Sequence, residues 1–140
     1  MTFEGRHNDL TEMIIGAFYK VYNQLGYGFS EKVYENALVI ELCKHGLDVV
    51  QQAAIRVYYE NALIGEFSAD LLINQTVIVE LKAVHHILEE NEAQLLNYLK
   101  ATQIEVGLLL NFGPKAQVKR KIFDNARKGD MSWIKNQDQL

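Results

Sequence analysis

The sequence predicts an α/β fold: a mixed β-sheet flanked by helices, with elements in the order α-α-β-β-β-α-β. Three observations carry that expectation. Apolar residues recur at helical spacing over residues 9–25. Strand-like runs separated by turn residues fill the middle of the chain. Two near-continuous apolar runs, 77–82 and 106–112, are then separated by a helix-length amphipathic stretch.

The elements follow in order. Leu10, Ile14, Ala17, Phe18, Val21 and Leu25 place one apolar stripe along a first helix, which Gly26 and Gly28 around Tyr27 break. Ser30 suits the N-cap of a second helix reaching about Lys44, and Gly46 is placed to end it. Val33, Ala37, Ile40 and Cys43 are expected to form part of its buried stripe, with Cys43 packing between helices, and Tyr34 is read as core. A β region begins at Leu47 to Val50, and Ile55, Val57 and Tyr59 alternate with polar neighbours. Glu60-Asn61 reads as a turn, Leu63 to Ile73 as the next strand, Asn74-Gln75-Thr76 as another turn and Val77 to Lys82 as a third strand. Glu89 to Thr102 returns to helix, and Val106 to Phe112 to strand. A strand, a helix and a strand make a crossover, so these two strands are expected to be parallel with a right-handed connection. Gly113-Pro114 ends the strand, and Val118 to Phe123 can add a short edge strand whose lysines suit an edge.

Composition bounds the function. A chain of 140 residues fits one domain, residues 1–140, with a core at about 8–123 and a polar tail at 124–140. Apolar content of 49% with one proline argues against disorder. No apolar run reaches the ~18 residues of a membrane span, and the polar start is unlike a signal peptide. A lone cysteine allows neither an internal disulfide nor a thiolate metal cluster, which fits a reducing cytoplasm. The net charge of −4 at first disfavours a nucleic-acid partner. Yet Lys115, Lys119, Arg120, Lys121, Arg127 and Lys128 concentrate basic charge near the C-terminus, either to contact phosphates or as a solvated face.

The chemistry-bearing feature is Asp70 with Glu80 and Lys82. An acid, then an acid and a lysine two apart, interrupt strongly apolar strands, where charge is rare unless paired or metal-bound. Side chains alternate along a strand, so Glu80 and Lys82 share a face. Two carboxylates beside an ammonium can hold a divalent cation and position a water on it, the chemistry of metal-assisted phosphodiester hydrolysis. Spacing alone does not decide: such a match arises by chance in about one chain in three of this length, with each residue at roughly 6% of a sequence. An ordinary hairpin with a solvated polar face remains the competing reading. Loop length sets a condition. A three-residue loop at Asn74 to Thr76 pairs Ile73 with Val77 and puts Asp70 opposite Glu80, whereas a two-residue loop sends the acids to opposite faces.

The element order, with Asp70 on the second strand and Glu80-Leu81-Lys82 on the third, resembles the PD-(D/E)XK nuclease superfamily and its restriction-endonuclease-like fold. Within it the chain looks like the GxxExxY proteins, through Gly28-Phe-Ser-Glu31-Lys-Val-Tyr34. Gln52 with Ile55 and Val57, Ala69-Asp70, Val79-Glu80-Leu-Lys82-Ala83, Ala93-Gln94 through Tyr98 to Thr102, and Gly107 to Phe112 extend the match over about residues 8–123. The resemblance implies that Asp70, Glu80, the carbonyl of Leu81 and Glu31 bind Mg²⁺ or Mn²⁺ and that Lys82 orients the attacking water. Gln94 and Tyr98 match the Q-x-x-x-Y motif of RecB-like members. The implied substrate is nucleic acid, DNA in the first place, with a homo-oligomer left open. The histidine often found three residues before the glutamine is here Asn91. A non-catalytic nucleic-acid-binding or protein-interaction module on the same fold is the alternative.

Overall fold

The computed structural model describes residues 7–136. Helix α1 spans Asn8–Leu25 and α2 Glu31–Lys44; strands β1 (Val49–Tyr59), β2 (Ala62–Ile73) and β3 (Val77–Lys82) follow. Helix α3 (Glu89–Lys100) crosses to β4 (Val106–Phe112) and β5 (Ala116–Ile122), and two 3₁₀ turns, Asn125–Arg127 and Ser132–Asn136, come last. The sheet has the order β1-β2-β3-β4-β5. Only β3 and β4 are parallel; the other neighbouring pairs are antiparallel. The expected mixed sheet, its crossover helix and its added edge strand are all present.

Two apolar layers sandwich the sheet, which is why β3 and β4 read as almost unbroken apolar runs. On one face Ile14, Phe18, Tyr34, Leu38 and Leu42 of α1 and α2 pack on Leu71, Ile73, Val77, Val79 and Phe112. On the other, Leu95, Tyr98 and Leu99 of α3 pack on Ile55, Leu72, Ile78 and Leu109. Each fully buried Leu, Ile or Phe contributes on the order of 1.5–3 kcal/mol. Gly107 lets α3 sit close, because a Cβ there would meet Leu95 Cδ1 at 2.7 Å.

One expectation is corrected. The buried stripe of α2 is Tyr34, Leu38 and Leu42, not Val33, Ala37, Ile40 and Cys43. Val33 is 40% and Ile40 61% exposed, Cys43 is exposed, and Ala37 is only partly buried. Both stripes have helical spacing, so periodicity did not choose between them; Tyr34, stacked on Phe112 with ring centroids 4.2 Å apart, is buried against the sheet. The described part of the C-terminal tail, polar apart from Met131, Trp133 and Ile134, also joins the fold. Ile134 is buried, the last 3₁₀ turn packs on β1, and the Lys128 ammonium donates to the carbonyls of Thr102 and Ile104 at 2.8 and 2.9 Å.

Candidate functional site

The three-residue β2–β3 loop gives the register Ile73↔Val77, Leu72↔Ile78 and Leu71↔Val79. Asn74 and Gln75 make the turn with φ of 52° and 55°, a left-handed conformation that asparagine tolerates well. The ladder stops one rung before Asp70 and Glu80. From there β2 continues beside β1 as far as Ala62, while β3 continues beside β4 to Lys82, paired with Asn111. The sheet forks at the two acids.

Their side chains seal the fork in place of ladder bonds. Leu81 N–H donates to Asp70 Oδ2 at 2.8 Å, and Asp70 N–H donates to Glu80 Oε2 at 2.7 Å. The acids therefore lie together. Glu80 is 4% exposed. Burial, followed by the Asp70 charge, pushes its carboxyl up to about 8, against the Asp70 N–H and Lys82. Burial also raises the Asp70 carboxyl, opposed by the Leu81 N–H and Gln52. Lys82 is half-buried, and among the described residues its ammonium has no carboxylate within ion-pair distance. Its positive charge is felt by both acids without being tied to either.

Tyr98 of α3 comes down on this fork from the other layer. Its phenol is pushed up to about 12, by burial first and then by the charges of Glu80 and Asp70, with a Gln94 contact opposing. Tyr98 also packs on Phe67, ring centroids 5.7 Å apart. Gln94 is exposed one helical turn earlier. Asn91, at the position where a histidine was expected from the resemblance, caps α3 instead: Leu88 N–H donates to its Oδ1 at 2.9 Å. His85 and His86 are exposed in the loop after Lys82, away from the carboxylate pair's hydrogen bonds.

Two acids of α2, Glu31 and Glu35, lie on the side of the fork. Glu31 lies exposed in the first turn of α2, near enough to Glu80 to add to its upward shift. Glu35, one turn on, is 4% exposed. It accepts from Lys32 at 3.2 Å, Gln51 at 2.9 Å and Gln52 at 3.2 Å. Gln52 also donates to Asp70 Oδ1 at 3.4 Å. From the sequence Gln52 reads as a motif position or as a partner for buried backbone groups, and nothing singles out Glu35. The one available signal was that Glu35 follows Tyr34 directly, so the helix that buries Tyr34 carries it towards the sheet.

Among the described residues no three His, Cys, Asp or Glu side chains form a ready-made metal cage. A Mg²⁺-type ion does not require one: it usually takes one or two carboxylates, completing its shell with waters and substrate phosphates. The donor set here fits that chemistry. It is all oxygen, the buried Glu80 and half-buried Asp70 carboxylates repel each other, and each has one oxygen anchored by a backbone N–H and one turned elsewhere. The basic cluster is largely spent on the fold. Lys121 pairs with Glu92 at 2.6 Å, and Lys100, Arg127 and Lys128 surround the Phe123 ring, leaving Lys115 and Lys119 exposed. Among the described residues no helix is long and apolar enough to cross a membrane.

A family model described as the PD-(D/E)XK nuclease superfamily matches residues 8–121. The crystal structure of SSO0001 is similar in fold, with a TM-score of 0.54 at 17% identity; the match covers 91% of this chain and 62% of that one. The chain thus spans somewhat under two thirds of the length of that protein. No curated protein matches the sequence.

Proposed function

The chain belongs to the PD-(D/E)XK nuclease superfamily, and from that premise we propose that it is a Mg²⁺- or Mn²⁺-dependent nuclease of the GxxExxY kind, acting in the cytoplasm on nucleic acid, DNA in the first place. We assign the activity to one domain comprising the whole chain. The observation that carries this reading is the fork itself: Asp70 and Glu80 held together by each other's strands, with Lys82, in no ion pair among the described residues, beside them.

Asp70, Glu80 and the Leu81 carbonyl would hold the cation, with Glu31 at the mouth reaching it or its water. When bound, such an ion lowers the pKa of a water and stabilises charge on phosphate oxygens. The residues supply the rest. The backbone N–H groups of Leu81 and Asp70 fix the carboxylates before any ligand arrives, so little reorganisation is left for the reaction. Lys82 orients the attacking water and offsets the negative charge that grows on phosphate during attack. Gln94 steadies the phenol of Tyr98, which stands over the fork and touches substrate.

The test is cleavage of labelled single- and double-stranded DNA with Mg²⁺ or Mn²⁺, parent against Asp70→Asn. Metal-dependent cutting lost in the variant supports the nuclease; no cutting of DNA or RNA by the parent removes it. The second reading, a non-catalytic interaction module, is favoured by one observation: Tyr59, Leu63 and Ile64 at the far end of the β1–β2 hairpin are 64%, 49% and 64% exposed.

A further inference from the structure

Gln52 sits within strand β1 with a φ of 53°, a left-handed conformation in a residue that is not glycine. Such a conformation persists only where the surroundings over-determine it, and it clusters at functional sites. The register explains what the kink achieves. Gln51 pairs with Leu71 and Ala53 with Ala69, so Gln52 lies opposite Asp70, the one rung between them left without a bridge. Alternation breaks on both strands at this rung. Val49 and Leu71 pack in the α1–α2 layer, but Ala53 and Ala69 pack in the α3 layer. A regular strand would keep each of these pairs on one face.

The kink delivers one amide to two carboxylates. Gln52 Nε2 donates to Glu35 Oε1 at 3.2 Å and to Asp70 Oδ1 at 3.4 Å. Its Oε1 accepts from Ser68 Oγ at 3.0 Å, and the carboxylates, which only accept, require the Nε2 end to face them. Glu35 is held independently by Gln51 and Lys32, so it is a fixed anchor. Among the described residues Asp70 Oδ1 accepts from no side chain but Gln52, and the Glu35 charge repels it.

We infer that Gln52 is a positioning residue, whose amide aligns the free oxygen of Asp70 against Glu35 so that Asp70 meets a divalent cation already aimed. It acts through Asp70 and not on substrate. The inference rests on the metal-centre part of the nuclease reading, but not on cleavage.

The test compares Gln52→Gly and Gln52→Met with the parent, by calorimetric titration with Mn²⁺ alone, by thermal melting and by cleavage kinetics. Glycine removes the amide but adopts the left-handed backbone freely; methionine removes the amide and keeps the backbone cost. Gln52→Gly should melt no lower than the parent, yet bind Mn²⁺ about tenfold more weakly, the scale of one hydrogen bond to a charged group. Its kcat should fall with KM for DNA unchanged. Gln52→Met should show the same loss of Mn²⁺ affinity together with a lower melting temperature. A Gln52→Gly variant that binds Mn²⁺ as tightly as the parent overturns the inference, and so does a parent that binds no Mn²⁺. A parent that binds Mn²⁺ but cuts nothing, with the Gly variant still weakened, ends the nuclease reading and leaves the positioning role standing.

Discussion

Glu80 makes the stability of the metal-free protein depend on pH in an unusual direction, and Glu80→Gln should abolish most of that dependence. The Glu80 carboxyl is moved from 4.5 in the free residue to about 8 in the fold. Between those values the unfolded chain has lost the proton and the folded chain still holds it. Folding therefore takes up a proton, and stability falls as pH rises through the window. At about 1.36 kcal/mol per unit, going from about pH 5.5 to about pH 8 should cost the parent about 3 kcal/mol. That is a large share of the 5–15 kcal/mol typical of a domain. Glutamine removes the charge while its amide oxygen can still accept the Asp70 N–H. Urea titrations at the two pH values, in chelator, give the numbers directly. The variant should show only the smaller slope left by Asp70, whose carboxyl is raised too. Saturating Mn²⁺ should flatten the parent in the same way, since the cation takes over the role of the proton. Equal parent stability at the two pH values, or an undiminished slope in Glu80→Gln, would refute the claim that this carboxylate pair is held in a desolvated, self-repelling state.

Other substitutions separate chemistry from folding. Lys82→Ala should cut Mn²⁺-dependent cleavage by roughly two orders of magnitude, the scale of one lost preorganised electrostatic contact, with Mn²⁺ affinity retained; cleavage at the parent rate refutes its role. Glu31→Gln should leave the melting temperature unchanged, because the side chain is exposed, but weaken Mn²⁺ binding and cleavage; unchanged affinity would reduce Glu31 to a helix-dipole residue. Glu35→Gln should instead destabilise by about 1–3 kcal/mol in urea, because its new amide faces the donors of Gln51 and Gln52. Tyr34→Phe should lose about 1–2 kcal/mol by the same measurement, since the hydroxyl accepts from Phe29 N–H and donates to the carbonyl of Gly26, whose own N–H closes α1.

What was legible in the sequence was what a count can fix. The length of the Asn74 to Thr76 loop sets the β2–β3 register, and the register alone brings Asp70 to Glu80. The helix between β3 and β4 was long enough only for a crossover, so their parallel pairing was equally determined. What was not legible depended on contacts between distant segments. Nothing in the spacing of Val33, Tyr34, Ala37 and Leu38 says which stripe of α2 meets the sheet. The left-handed backbone of Gln52 leaves no mark on a pattern of apolar and polar residues, because only glycine announces such a conformation. The basic cluster looked like one surface in sequence, yet Lys121 is drawn to Glu92 and Lys128 is turned inward to two carbonyls.

The reciprocal bonds at the fork also govern how this protein can be switched off in an experiment. Asp70 and Glu80 are at once the metal ligands proposed above and the last two stitches between strands, since each accepts the N–H that a missing ladder rung would have left unpaired. Alanine at either position removes a carboxylate and strands a buried backbone donor together, at about 1–3 kcal/mol for the donor alone. An inactive alanine mutant would therefore be ambiguous, open to loss of chemistry and to a sheet that has begun to unzip. Asparagine and glutamine keep the stitch and discard only the charge, so amide variants are the proper inactive controls, and in cells their abundance should match that of the parent where the alanine forms are cleared.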